Sequence, residues 1–221
     1  MTIRGLLLDF YGTVVEDDDT IMMEVAARVA AGASRPVTAA EVMAAWSCEY
    51  EDLAERTPFR SLRACSVGSL ATVMAEFGCP GDAEELCAGQ YAYWAAPPLR
   101  PGTRDFLSRV ELPICVVSDA DHDDLLRAID AHGLSFAAVV CSERVGAYKP
   151  DPAMFAAGLA ALGLGAHEVL HVGDSLRTDI EGAHAAGIRT AWVNRRGLPR
   201  TACGPAAFVI SDLSELDGCL A

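Results

Sequence analysis

The sequence has 221 residues, 52% of them hydrophobic, and a formal net charge of −14 from 31 acidic and 17 basic side chains. That length can bury a sizeable core in one folded body, and the acidic excess argues against nucleic acid or an anionic membrane as a partner. No apolar run reaches the roughly 18–20 residues a membrane span needs, and Leu6–Leu8 is too short and wrongly flanked for a signal peptide, so the expectation is a soluble, cytoplasmic protein.

Leu6-Leu7-Leu8 stops on Asp9 and is followed by Phe10-Tyr11-Gly12-Thr13. It reads as a buried strand delivering Asp9 to the carboxyl edge of a sheet, where open α/β sheets place their ligands. Taken alone, Asp9 fits a nucleophile, a metal ligand or an ordinary turn carboxylate. The run Glu16-Asp17-Asp18-Asp19 reads as a solvated hinge. Four helical segments follow with no strand between them. They are Thr20–Gly32, a second opened by the capping box Thr38-Ala39-Ala40-Glu41, a third over Ser61–Phe77 stopped by Gly78, and a fourth opened by Asp82 and ended by Pro97-Pro98. Together they predict a helical insertion over residues 16–97.

Beyond it the pattern alternates. Ile114–Ser118, Ala137–Cys141, Val169–Val172 and Thr190–Val193 read as short buried strands, and Phe208–Ile210 is a candidate last one. Helices are expected at Asp121–His132, Asp151–Leu162 and Thr178–Ala186, with Asp151-Pro152 and the box Thr178-Asp179-Ile180-Glu181 as start signals. Such alternation predicts an α/β core with a doubly wound parallel sheet, built from residues 1–15 and 98–221.

Two further polar strand ends point to chemistry. Val169–Val172 runs into Gly173-Asp174-Ser175, with Asp179 close behind, and Val116-Val117 runs into Ser118-Asp119. Carboxylates gathered at one sheet edge repel unless a cation lies between them, and hard oxygen ligands suit Mg²⁺. Lys149 is the sole lysine beside 16 arginines, which suggests a task for a compact ammonium rather than a planar fork. Other residues have plainer readings. His171 reads as a core imidazole, His122 as a solvated residue or a candidate acid, and Arg195-Arg196 as surface. Tyr91, Tyr93 and Trp94 read as helix packing or a substrate-facing wall. The eight cysteines form no C-x-x-C pair and read as thiols.

Asp9-Phe10-Tyr11-Gly12-Thr13, Ser118, Lys149 and Gly173-Asp174-Ser175-Leu176-Arg177-Thr178-Asp179 resemble, in order, the four motifs of the haloacid dehalogenase-like hydrolase superfamily. Val145 to Trp192 is similar to its helical-cap subfamily. The resemblance implies a Rossmann-like core and an α-helical cap that excludes bulk water and selects the leaving group. It implies Asp9 as nucleophile, and Thr13, Ser118, Asp119 and Lys149 as the phosphate-binding set. Mg²⁺ would be held by Asp9, the Tyr11 main-chain carbonyl and Asp174, with Asp179 in support.

One departure stands out. The family's phosphatases carry an acid two residues after the nucleophile, where this chain has Tyr11, and a phenol with a pKa near ~10 is a poor proton donor at neutral pH. Asp-x-Tyr-Gly-Thr resembles the family's metal-independent 2-haloacid dehalogenases, which receive halide on a cap arginine. A rough alignment on Trp46–Tyr50 puts Ala44 at that place, with Arg56, Arg60 and Arg63 as substitutes. Those dehalogenases have uncharged residues where Asp174 stands, so the last motif argues for metal and phosphate. The expectation is a Mg²⁺-dependent phosphohydrolase with catalytic Asp9, Tyr11, Ser118 and Lys149. It would act on a small phosphorylated metabolite, as a monomer or homodimer. A 2-haloacid dehalogenase and an impaired binding or regulatory protein are the alternatives. A phosphonatase would need a cap lysine, which the chain lacks.

Overall fold

The computed structural model describes residues 2–202 and 204–220, so Cys203 lies outside the described residues. Two compact units emerge. One holds the described residues of Met1–Glu16, Pro98–Asp119 and His132–Ala221, the other Asp17–Pro97 and Ala120–Ala131.

The first unit contains β1 (Gly5–Leu8), β2 (Ile114–Ser118), β3 (Ala138–Cys141), β4 (Val169–Gly173), β5 (Arg189–Val193) and β6 (Phe208–Ile210). They form one all-parallel sheet in the order β3-β2-β1-β4-β5-β6. Parallel strands covered on both faces need near-continuous apolar runs, which is why Leu6–Leu8 and Cys115–Val117 are legible as strands. Leu7, Cys115 and Val117 pack on Met154 and Phe155 of a helix at Pro152–Leu162. Gly158 permits that approach, because a Cβ there would lie 2.8 Å from Val117 Cγ2 and 3.0 Å from Leu7 Cδ2. Strand order reverses at β1, with β2 on one side and β4 on the other. A ligand crevice is expected at that switch point, outside the carboxyl ends.

The strands fall within a residue of their expected places, but one helix start does not. Thr178 opens no capping box. Instead Ser175 is the cap, its Oγ accepting the Thr178 N–H at 3.3 Å, and Leu176–Glu181 winds as a wide π turn before a short helix at Gly182–Ala185. The wide turn carries Asp179 inward, a common use of π geometry at functional sites. Short helices at Thr103–Arg109 and Ser142–Val145 occupy stretches that the sequence reading leaves as connections.

The second unit is helical: α1 (Asp19–Gly32), α2 (Ala39–Glu55), α3 (Leu62–Phe77), α4 (Ala83–Ala95) and α5, our label for the helix at His122–Ala131. Its starts and stops follow local chemistry. Thr38 accepts from the Glu41 N–H at 3.2 Å while the Glu41 carboxylate accepts from the Thr38 N–H at 2.8 Å. Gly78, at φ 65°, ends α3 in the left-handed conformation that glycine tolerates. Val25, Val29, Val42, Trp46, Leu70 and Phe77 form the core, and burying each such side chain contributes ~1.5–3 kcal/mol. Helix α5 is bound in by charge. Asp121 accepts the otherwise unpaired N–H groups of Leu62 and Arg63 at 2.7 and 3.1 Å, and Asp124 takes a two-pronged bond from Arg63 at 2.6 and 2.8 Å.

The expected solvated hinge needs correcting at Asp18. Its Oδ2 accepts from Gln90 Nε2 at 2.6 Å and from Trp94 Nε1 at 2.8 Å, tying the start of α1 to α4. Trp94 is accordingly buried, and Tyr91 lies under the Arg63 guanidinium. Cys65, Cys87, Cys115 and Cys141 are buried free thiols, whereas Cys48 is exposed. Among the described residues no helix is long and apolar enough to cross a membrane.

Candidate active site

The β1–β4 pairing of Leu8 with Val172 continues for one more bond, from the Asp9 N–H to the Val172 carbonyl at 2.9 Å. That bond sets Asp9 level with Gly173 and beside Asp174. Asp9, Asp174 and Asp179 each bring a carboxylate oxygen to within 4.8 Å of the others. Two glycines make the room. A Cβ on Gly12, which sits at φ +89°, would lie 2.7 Å from Asp174 Oδ2, and one on Gly173 would lie 2.2 Å from Asp179 Cγ. Any larger residue at either position would displace a carboxylate.

Lys149 holds the cluster together. Its Nζ donates to Asp9 Oδ1 and to Asp179 Oδ1, both at 2.7 Å, and all three side chains are buried. Burial pulls the Lys149 pKa down, yet Asp179, Asp9 and Asp119 hold it well above the ordinary lysine value. Asp179 is also bonded by His171 Nε2 at 3.0 Å and by the Ser175 N–H at 3.1 Å. Burial pushes it up, but Lys149 and then His171 more than offset that, leaving it well below the usual carboxylate range. It is an ionised anchor.

The other two carboxylates are less well compensated. Burial raises Asp9 above its ordinary value, Lys149 opposes the rise, Asp179 adds to it, and Thr13 lowers it slightly. Its Oδ2 is buried and has no hydrogen bond of ordinary length. Burial, with Asp9 and Asp179 near, pushes Asp174 up to about 7 against the pull of Arg195. Arg195 Nε donates to Asp174 Oδ2 at 2.7 Å, leaving Oδ1 without a hydrogen bond. This corrects the surface reading of Arg195, whose side chain is only 18% exposed. Sequence spacing gave no signal, because the arginine returns to the site from beyond β5. His171 is a core imidazole as expected, but it also touches the cluster.

The remaining candidates fall at the same sheet edge. Ser118 ends β2 in a buried position, and Thr13 is buried in the turn after Asp9. Asp119 Oδ1 accepts the Lys149 backbone N–H at 2.9 Å. Tyr11 is half-buried, its ring edge-on to Phe10 at 5.2 Å. His122 begins α5 and belongs to the helical unit. A 330 Å³ cavity opens beside Asp174, walled in part by Trp192, Asn194, Arg195 and Leu198.

Free oxygens on Asp9 and Asp174, one of them buried, form a donor set suited to a hard divalent cation. Asp179 fits a supporting place better than a direct ligand's, since both its oxygens are already bonded.

A family model described as haloacid dehalogenase-like hydrolase matches residues 3–187. Among curated relatives, the chain is 32% identical over 146 residues to a phosphoserine phosphatase of Thermus thermophilus, covering 63% of this chain and 58% of that one. It is 29% identical over 116 residues to a human N-acylneuraminate-9-phosphatase, covering 51% and 47%. The matched stretch thus spans about half the length of these relatives. Among solved structures, an L-2-haloacid dehalogenase from Xanthobacter autotrophicus is 19% identical, with a TM-score of 0.75 over 99% of this chain and 98% of that one. A phosphatase from Thermococcus onnurineus is 23% identical, with a TM-score of 0.69 over 99% and 98%. At these identities the likeness speaks to fold.

Proposed function

The chain belongs to the haloacid dehalogenase-like hydrolases, and we propose that it is a Mg²⁺-dependent phosphohydrolase acting on a small phosphorylated metabolite. The observation that carries this reading is Asp174 beside Asp9, each with an unbonded carboxylate oxygen. A third charge at that edge hinders a metal-free reaction with an anionic 2-haloacid and helps one that needs a cation.

Mg²⁺ would be held by Asp9, Asp174 and the Tyr11 carbonyl, where it supplies charge neutralisation for the phosphoryl oxygens. The protein's own groups then have defined tasks. Asp9 attacks phosphorus, forming an aspartyl-phosphate that water hydrolyses. Lys149 fixes the attacking carboxylate and keeps a third N–H for a phosphoryl oxygen. Ser118 donates to another phosphoryl oxygen, and Thr13 orders the turn behind the nucleophile.

Tyr11 is the observation that favours the dehalogenase reading. Against it, Arg63 is committed to Asp124 and Arg56 is a largely exposed partner of Asp52, so of the three candidate halide receptors that reading rests on Arg60. The discriminating test is phosphate release from 4-nitrophenyl phosphate with Mg²⁺ and with EDTA, run beside halide release from 2-chloropropionate. Phosphate release that needs Mg²⁺ and disappears in Asp9→Asn is the expected result. Halide release that ignores EDTA overturns the reading.

A further inference from the structure

Aspartyl-phosphate chemistry leaves one proton unassigned. When the bond from phosphorus to an alkyl leaving group breaks, the departing alkoxide needs an acid, and the residue at position 11 is a phenol. Resting on the phosphohydrolase reading, we propose that Asp119 is the proton donor to the leaving group, in place of the acid missing from position 11.

Sheet order puts Asp119 beside the nucleophile. β1 and β2 are adjacent and pair Leu8 with Val116. Asp9 follows directly on the last residue of β1, and Asp119 directly on the last residue of β2. Asp119 therefore leaves the same sheet edge as the nucleophile, from the adjacent strand. The carboxyl group is also mounted for the task. The Lys149 backbone N–H grips Oδ1 at 2.9 Å, while Oδ2 has no hydrogen bond among the described residues. One oxygen is thus fixed and the other is available, and the residue supplying the grip also holds Asp9 through its side chain.

The charge environment agrees with the geometry. Burial pushes the Asp119 carboxyl up to about 7, with Asp179 and Asp9 raising it further and Lys149 pulling it down through both its charge and its backbone bond. Burial thus favours the protonated form that a proton donor needs. In the first step Asp9 forms an oxygen–phosphorus bond, the bond from phosphorus to the leaving oxygen breaks, and the Asp119 proton passes to that oxygen. In the second step the Asp119 carboxylate takes a proton from the attacking water. The Asp9–phosphorus bond breaks, inorganic phosphate leaves, and Asp119 is protonated again.

The test compares kcat/KM for an alkyl phosphate and for 4-nitrophenyl phosphate, whose leaving group needs little protonation. Asn retains an oxygen for the Lys149 N–H, so Asp119→Asn keeps the structural bond while losing the proton. The expected loss is about 10²-fold on the alkyl phosphate and under about 3-fold on the aryl one. The fall in alkyl turnover above neutral pH should disappear as well. Adding Tyr11→Asp to Asp119→Asn should restore alkyl turnover. Equal losses on both substrates with no rescue would mean that Asp119 only supports the Lys149 loop, and the proposal would fail. Absence of Mg²⁺-dependent phosphate release from the wild-type protein on either substrate would instead sink the phosphohydrolase reading itself.

Discussion

Asp18 in the helical unit and Asp9 at the sheet edge are both carboxylates that burial lifts above the ordinary aspartate range. Their surroundings answer that cost differently. Asp18 meets two neutral donors, Gln90 and Trp94, on a single oxygen, and its strain is local and closed. Asp9 meets an ammonium on one oxygen and no hydrogen bond of ordinary length on the other, with Asp174 and Asp179 crowding beside it. Closed polar networks hold elements in place. A cluster with more carboxylates than cations and a buried, unbonded oxygen costs stability and makes sense only as a place for something to bind.

The largest expected effect comes from removing the one cation that spans the cluster. Lys149→Met would leave Asp9 and Asp179 buried without their shared partner, a loss of ~3–5 kcal/mol. Urea denaturation in EDTA reads it directly. A loss below about 1 kcal/mol would mean that the ammonium does not hold the edge together. Asp9→Asn should move the other way, gaining ~1 kcal/mol in EDTA as an under-compensated charge is neutralised. If this variant melts well below the wild type, Asp9 is a structural carboxylate like Asp18, and the contrast between the two regions collapses.

The smallest effect belongs to Asp18→Asn, since an amide oxygen can accept the same two bonds. Its signature is pH dependence. The folded carboxyl holds its proton to a higher pH than the ordinary 3.8, so the folded state binds more protons than the unfolded chain across that interval. Wild-type stability should therefore gain on acidification from the raised pKa towards 3.8, an increment the Asn variant lacks. Melts of both proteins at pH 7 and pH 5 with parallel shifts would show that Asp18 does not carry the cost assigned to it.

Much of this is legible in the amino-acid sequence. Buried parallel strands write themselves as unbroken apolar runs, and Thr38, Ser61 and Gly78 mark helix ends through chemistry confined to one turn. Asp9, Lys149, Asp174 and Asp179 were visible because each follows a strand or precedes a proline. Long-range partners were not. Arg195 reaching Asp174, His171 reaching Asp179 and Asp18 meeting α4 all depend on which side chains the fold brings together, and nothing local to Arg195-Arg196 or Glu16–Asp19 separates them from surface charge. The wide turn at Leu176–Glu181 departs from its local signal for a related reason. Its sequence is a good capping box, and only the inward pull on Asp179 explains why that box is not used.

A sole lysine that is also shut away has a practical use. The Lys149 ammonium is 3% exposed and clamped by two carboxylates, and the sequence has no second lysine side chain to compete for an acylating reagent. Incorporation of a mass label at that one position therefore measures how often the clamp opens. A single peptide followed over time would report the lifetime of the closed site, with no dye, tag or engineered probe.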